Sequence, residues 1–309
     1  MAVCECSVTL KNTGTLGCMP IQDVARRLIM VPLKNSSNVL NRIDLSSIPS
    51  NTAIIALLNQ SDDKSRYYPL PTMENVTNER AEPITEDFPS GNVVKIRDGV
   101  KTFTGQMIGL GSDYAGQIET FGCNDMGAFI VDAQGNLIGD KSVSGYLAPI
   151  PINKATWNVT TQDTGDTTVA RINLTMQWKQ SVKDSDIGML KASDFASDVD
   201  WLGYEGLVDL YGGTPSSIST TGFTIPITSL FGSVANPQVV SNLASSDFEV
   251  YNETTTSVVT ISTMTEDPAG TYSFTYTAQT SADEMQLRIA SGTDGYDDTN
   301  LRSVTITTP

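Results

Sequence analysis

The sequence predicts a mainly β protein: an N-terminal β-sandwich or barrel domain with one or two short helices and a long arm, followed by a C-terminal immunoglobulin-like β-sandwich. Three observations support this fold class. Short runs that alternate apolar and polar residues recur along the chain, as they do in half-buried strands. Gly, Asn and Asp separate these runs at close intervals, which is typical of sandwiches and barrels. Helical spacing of apolar residues appears in only two places, so helices are expected to be few.

The N-terminal region predicts a strand, a helix and a second strand. Residues 4–10 alternate like a strand. Residues 20–30 begin with a proline suited to a first helical turn and place apolar residues along one side. Residues 30–33 then favour a strand. The apolar run at residues 53–58 fits either a buried strand or a short buried helix.

A long stretch at residues 74–92 has little periodicity and is rich in Glu, Asp, Pro and Asn. Loops of such length in compact domains are usually functional arms or disordered segments. Because strand-like runs lie on both sides of it, we interpret it as an arm or an extended hairpin.

Strand signals then follow one another closely, and turn residues connect them. The predicted strands of this region lie at residues 93–96, 101–108, 127–131, 136–138, 147–152, 156–160 and 168–178. A second helical candidate covers residues 185–206, where the spacing favours two short helices over one.

The chain divides at a polar stretch rich in Ser, Thr and Gly. We predict a β-rich domain at residues 1–205, a linker at 206–235 and an immunoglobulin-like domain at 236–309. The C-terminal domain lacks the antibody-type cysteine pair and core tryptophan. Its alternating strands are predicted at residues 248–251, 258–261, 272–276, 285–289 and 304–306.

The chain is acidic, with a formal charge of −16, and the charge is uneven. From Glu205 to the end there are 12 carboxylates and 2 cations, whereas the preceding part has 23 and 17. Nucleic-acid affinity comes from cations that neutralise phosphates, so specific nucleic-acid binding is not expected. An acidic passage would instead let DNA slide without adhering. Arg26 and Arg27 are expected on a solvated face or paired with carboxylates.

The composition also argues against an enzyme. The chain contains no histidine, which removes the commonest general base near neutral pH and the commonest metal ligand. No window approaches the apolar length of a membrane helix, and the first residues do not resemble a secretory signal. We expect a protein that uses no cofactor and crosses no membrane.

Two motifs resemble functional sites of enzymes, but the residues around them do not fit such sites. Asp163-Thr164-Gly165 matches the aspartic-protease triplet, but polar residues flank it on both sides, so a hairpin tip is the better interpretation. The glycines at residues 109–116 resemble a dinucleotide loop, which needs a helix directly after it in a parallel βαβ unit. The sequence instead predicts another β run.

Metal sites have two candidates. Cys4, Cys6, Cys18 and Cys123 lack the paired spacing of zinc ligands, so reduced cysteines acting as small apolar residues are favoured. An oxygen-rich loop suits a hard cation such as Ca²⁺ but departs from the EF-hand spacing, and a plain solvated loop is the alternative. The calcium candidates are Asp294, Asp297 and Asp298.

Four segments taken together resemble virion structural proteins of tailed bacteriophages that infect Bacteroidota-type bacteria. These segments lie at residues 24–32 (VARRLIMVP), 75–83 (NVTNERAEP), 98–103 (DGVKTF) and 125–132 (DMGAFIVD). The layout of a β-rich domain with an arm and an appended immunoglobulin-like domain is similar to tail tube proteins.

This resemblance implies a homo-oligomer of stacked, usually hexameric rings around a DNA channel, built into a virion in the host cytoplasm together with other virion proteins. It implies no catalytic residues. The arm would bridge copies, and an acidic lumen would let DNA pass. The candidate assembly residues of the arm are Glu74, Glu79, Arg80, Glu82, Glu86 and Asp87.

Two other functions remain open at this point. One is a different virion component: a capsid decoration, head-fibre or tail-completion protein. The other is a module that binds glycans or surfaces, which requires an exposed aromatic platform. The candidate platform residues are Tyr251, Tyr272, Tyr276 and Tyr296, and a role in the core or at its rim is the alternative for each.

Overall fold

The computed structural model describes residues 21–233, 235–290 and 293–309, and within them the chain is mainly β, as predicted. The helices are α1 (Asn51–Leu58), α2 (Ser112–Glu119) and α3 (Thr299–Arg302). Single 3₁₀ turns lie at Thr120–Cys123, Lys154–Thr156, Asp184–Asp186, Ala192–Asp194 and Ser245–Asp247.

The strands of the N-terminal part are β1 (Ala25–Pro32), β2 (Ile43–Asp44), β3 (Tyr68–Pro69), β4 (Glu74–Arg80), β5 (Ile84–Asp87), β6 (Val93–Arg97), β7 (Lys101–Ile108), β8 (Met126–Asp132), β9 (Leu137–Asp140), β10 (Tyr146–Leu147), β11 (Ile150–Pro151), β12 (Asn158–Gln162), β13 (Arg171–Gln177) and β14 (Ile187–Leu190). The strands of the C-terminal part are β15 (Val208–Gly212), β16 (Ser216–Ser219), β17 (Gly222–Ser233), β18 (Asn236–Val239), β19 (Phe248–Asn252), β20 (Ser257–Val259), β21 (Ile261–Glu266), β22 (Thr271–Tyr276), β23 (Glu284–Ile289), β24 (Tyr296–Asp297) and β25 (Ile306–Thr307).

Two sheets form a sandwich in the N-terminal part. A six-stranded sheet has the order β14-β9-β8-β1-β3, with β11 also paired to β8, and a four-stranded sheet has the order β12-β13-β7-β4. Along β7 and β13, buried and partly exposed residues alternate, so each strand turns one face inward. Phe103 and Leu174 meet Leu28 in the shared core.

The six-stranded sheet is buried on both faces at its centre. Leu28 and Met30 enter the core of the sandwich, whereas Ile29 and Val31 enter a second core on the opposite face. Helix α1 and Trp201 close that second core. A strand buried on both faces has no polar alternation.

The helix predicted at residues 20–30 is therefore wrong in its described part, because β1 begins at Ala25 and the residues before it have no regular structure. The helical spacing arose because nearly every residue of a doubly buried strand is apolar. The strand predicted at residues 4–10 lies outside the described residues. The ambiguous run at 53–58 belongs to α1, which Ser50 caps by accepting a hydrogen bond from the Ala53 N–H.

The two helices predicted within residues 185–206 are also wrong. This segment contains the edge strand β14 between single 3₁₀ turns. Strand β14 pairs with β9 along its whole length, from Ile187 opposite Asp140 to Leu190 opposite Leu137. Pairing with an existing sheet outweighs a weak helical preference.

The predicted C-terminal sandwich is present. Its larger sheet has the order β21-β22-β17-β15-β24, with β16 and β18 also paired to β17, and its smaller sheet has the order β20-β19-β23-β25. Phe223, Ile225 and Phe274 from the first sheet pack against Val250 and Leu287 from the second.

The linker predicted at residues 206–235 is wrong, because this stretch supplies β15, β16 and β17 to the larger sheet. Thr224 and Thr228 occupy partly exposed positions of β17, whereas Ser229 is buried. The Thr224 hydroxyl lies 2.8 Å from that of Ser273. The buried apolar residues that alternate with these threonines along β17 are Phe223, Ile225 and Ile227.

An ion pair joins the two sandwiches. Arg66 Nη1 lies 2.6 Å from Asp297 Oδ2, and their side chains are only 13% and 12% exposed. Nearby, the Asn59 amide donates to the Asp294 carboxylate. Burial alone would raise the pKa of Asp297, but hydrogen bonds from Thr299 and the pairing with Arg66 outweigh it and hold this pKa below its usual value.

Replacing Arg66 by alanine should lower the free energy of unfolding by about 3 kcal/mol, because it leaves a poorly exposed carboxylate without its cation. Urea denaturation measures this. The control is Lys154→Ala, which removes a pair with Asp125 whose side chains are mostly exposed and should change stability by less than about 1 kcal/mol. Equal effects of the two substitutions would contradict the structural role of Arg66.

The Asp297 pair also predicts a pH dependence. Because the folded-state pKa is lowered, its stabilisation is present above the unfolded-state pKa and disappears as the pH falls through the folded-state value. The stability difference between the wild type and Asp297→Asn should therefore shrink as the pH falls below the unfolded-state pKa of about 4. Denaturation at several pH values measures it, and a difference that grows on acidification would refute the assignment.

Candidate assembly surface

Strands β5 and β6 form an exposed hairpin, which we call the arm (residues 81–99). The strands are antiparallel, with Glu86 opposite Val94 and Asp87 opposite Val93. At the turn between the strands, the Phe88 N–H donates a hydrogen bond to the Asn92 carbonyl oxygen at 2.8 Å. Within the described residues these two strands pair only with each other. The arm therefore offers two open hydrogen-bonding edges.

The arm displays apolar side chains to solvent. Every residue from 81 to 98 is exposed, and Val93, Val94 and Ile96 are 61%, 50% and 60% exposed. Because side chains alternate between the faces of a strand, Val93 lies on one face and Val94 on the other. Two-stranded hairpins are marginally stable in water without further packing. Such a ribbon favours contact with another surface.

The two edges of the arm carry opposite charges. Glu86 and Asp87 lie on β5, whereas Lys95 and Arg97 lie on β6. Lys95 also pairs with Asp98 in the same arm. The β5 edge is therefore complementary in charge to the β6 edge of a second, identical arm.

Arg80 fixes the root of the arm to the sandwich. Its guanidinium group donates to both carboxylate oxygens of Asp184, at 2.8 and 3.1 Å, and to the Gly99 carbonyl at 2.8 Å. The hydrogen bond from Arg80 lowers the pKa of Asp184. A planar guanidinium with two bonds to one carboxylate sets direction as well as distance. The arm thus leaves the body at a defined angle.

The candidate arm residues fall into two groups. Glu74, Glu79 and Arg80 belong to β4, which pairs with β7 in the four-stranded sheet. Glu74 also pairs with Arg26 at 2.7 Å. The projecting arm contains the remaining candidates, Glu82, Glu86 and Asp87.

Sequence reasoning missed half of the arm. It assigned residues 93–96 to a strand of the body, because an apolar run with a short polar turn before it looks the same in either place. The available signal was the turn at Pro89-Ser90-Gly91-Asn92, which is of hairpin type.

Arg27 differs from its prediction. It is buried, and its guanidinium donates to the carbonyl oxygens of Leu70, Trp201 and Leu202. Carbonyl acceptors thus replace the expected carboxylate or solvent.

The structure gives each calcium candidate a separate partner. Asp294 accepts from Asn59, Asp297 pairs with Arg66, and Asp298 accepts from Arg302 Nε at 2.8 Å. Across the described residues, no group of three or more Cys, Asp or Glu side chains is arranged to hold a metal ion. Of the zinc candidates, Cys123 is an exposed free thiol. The others, Cys4, Cys6 and Cys18, lie outside the described residues.

The catalytic-looking motifs have structural explanations. Asp163 lies in the exposed connection between β12 and β13, where Gly165 and Thr168 form a β-bridge. Helix α2 does follow the glycines at 109–111, contrary to the predicted β run. Strand β7 before it belongs to an antiparallel sheet, so the parallel βαβ unit of a dinucleotide site is not formed here.

The four tyrosines proposed as a glycan platform do not form one. Tyr272 and Tyr276 are buried in the C-terminal core. The Arg288 guanidinium covers the ring of Tyr251 at 3.5 Å, and Tyr296 is half-buried in β24.

The fold and the arm define the class: a protein of two β-sandwiches with a protruding two-stranded arm. No protein-family model matches the sequence, and neither does any curated protein. None of the helices in the described ranges is long and apolar enough to span a membrane.

Replacing Gly99 by alanine should displace the arm, because a Cβ there would lie 1.7 Å from the Ala81 carbonyl oxygen. We expect faster tryptic cleavage after Lys95 and Arg97 with little loss of the body's stability, since the two sandwich cores are untouched. Timed proteolysis and thermal unfolding measure the two effects.

The matched control is Gly116→Ala in α2, where a Cβ meets nothing within 4 Å. It should leave cleavage of the arm unchanged and stabilise the helix. Equal cleavage of the arm in the two variants would contradict the role given to Gly99.

Proposed function

We propose that this chain is a structural subunit of a virus particle, and specifically a tail tube protein whose copies stack in rings around a DNA passage. The observation that carries the proposal is the arm, because it exposes apolar side chains on both faces and leaves both strand edges unpaired within the described residues. Exposed edges of this kind invite pairing with another chain.

The charges of the arm favour a second copy as the partner. An acidic β5 edge beside the basic β6 edge of a neighbour gives an antiparallel contact with opposite charges facing. This contact uses different surfaces of the two copies, and repeating such a contact produces rings or filaments. A ring of sheets also removes the open edges that each copy has alone.

The composition supports a passage for DNA. A net charge of −16 repels the phosphate backbone and keeps a threaded duplex from adhering. The virion setting rests on the resemblance of four sequence segments to structural proteins of tailed phages.

The proposal is tested with Val94→Thr combined with Ile96→Thr. Threonine keeps the β preference of the strand but removes exposed apolar surface from the arm. The wild type should form hollow tubes by negative-stain electron microscopy as its concentration rises. The variant should remain a monomer in size-exclusion chromatography with an unchanged thermal unfolding midpoint.

The control is Val258→Thr, a comparably exposed valine on β20 of the C-terminal sandwich, which should assemble like the wild type. Small closed oligomers of the wild type, or normal tubes from the arm variant, would refute the proposal.

A further inference from the structure

A cleft of about 730 Å³ lies between the two sandwiches. Aromatic side chains from both parts line it: Tyr68 and Phe121 with ring centroids 5.4 Å apart, and Tyr114 and Phe231 at 6.5 Å. Its volume falls within the range of small-molecule sites, which are usually apolar with a few polar groups. The position and the size of the cleft therefore suit a small-molecule ligand.

Two carboxylates line the same cleft, the exposed Glu205 and the half-buried Asp209. Within the described part of the chain, neither Glu205 nor Asp209 has a side-chain hydrogen bond or an ion pair. Asp209 is half-buried in β15, and burial, followed by repulsion from Asp297, raises the pKa of its carboxyl; the attraction of Arg66 offsets this only in part. A carboxylate in this setting is stabilised when a cation arrives beside it.

The two arginines of the cleft are already bonded within the chain. Arg27 donates to backbone carbonyls, including that of Leu202 at 2.7 Å. Arg66 pairs with Asp297 at 2.6 Å and donates to the Gln60 carbonyl at 2.7 Å. Both guanidinium groups keep their charge, because backbone carbonyls are neutral acceptors; Arg27 attracts Glu205 and Arg66 attracts Asp209. With two positive charges (Arg27 and Arg66) against three negative ones (Asp297, Glu205 and Asp209), one negative charge remains in excess at the cleft.

We propose that this cleft binds an organic cation, an alkylammonium or guanidinium group carried on an apolar chain. Aromatic faces attract such a group, carboxylates accept its hydrogen bonds with the help of charge, and the apolar walls cover its carbon chain. The site goes beyond the proposed role in assembly and does not depend on it. The cation is supplied either by a free diamine or polyamine, or by a Lys or Arg side chain of a second copy.

Calorimetric titration of the full chain with cadaverine tests the chemistry, and pentanediol serves as the neutral probe of equal length. We expect saturable binding of cadaverine and at least about tenfold weaker binding of pentanediol, which corresponds to about 1.4 kcal/mol. Asp209→Asn combined with Glu205→Gln should weaken cadaverine at least about tenfold.

The control variant is Asp113→Asn, an exposed carboxylate on α2 that does not line the cleft, and it should bind cadaverine like the wild type. Thermal unfolding of each variant verifies folding. Equal affinity for pentanediol, unchanged cadaverine binding in the double variant, or no saturable cadaverine binding would each overturn the proposal.

A second measurement, of assembly, identifies the source of the cation. If saturating cadaverine disperses assembled protein and the double variant assembles poorly, then the cation is a side chain of a second copy. If cadaverine binds and assembly is unaffected, the ligand is a free amine. Loss of assembly in the Val94→Thr, Ile96→Thr variant with normal cadaverine binding would separate this site from the function of the arm.

Discussion

The arm depends on a hydrogen-bonding requirement that its own strands do not meet. Strands β5 and β6 satisfy one edge of each other and leave the outer edges open, while Val93, Val94 and Ile96 face water. Water forms hydrogen bonds with the open peptide groups at little cost in free energy, but it does not stabilise exposed apolar surface. A neighbouring strand with a complementary charge pattern would satisfy both, and the proposal of self-assembly rests on this.

The rest of the molecule holds this ribbon in position. Arg80 and Gly99 bring the two ends of the arm together at the edge of the four-stranded sheet. Strands β1 and β8 of the six-stranded sheet lie between the core of that sandwich and the second core. The Arg66–Asp297 pair then fixes the second sandwich to the first. A body with a directed arm would suit the proposed repeating contact, because each added copy would present the next arm at the same angle.

Sequence patterns predicted strands well where one face of a sheet meets a core. The predicted limits of Lys101–Ile108 match the observed strand, since its burial alternates. The patterns failed where both faces of a strand are buried, as in β1. They also failed in β17, where threonines alternate with the buried apolar residues and made the segment resemble a linker. The acidic half of the arm was recognisable from the sequence. The other half was not, because the apolar run at residues 93–96 suits a core strand and an exposed one equally. The cleft was not predictable, because its walls come from segments far apart in the chain.

Amide hydrogen exchange of the arm tests the central claim most directly, because it reports on the open edges themselves. In dilute protein, outward-facing amides of β5 and β6 should exchange far faster than those of β7 and β13. After association at high concentration, the same arm amides should become protected while the sandwich amides change little. Arm amides that are already protected in the monomer, or that stay unprotected in the assembled protein, would contradict the account.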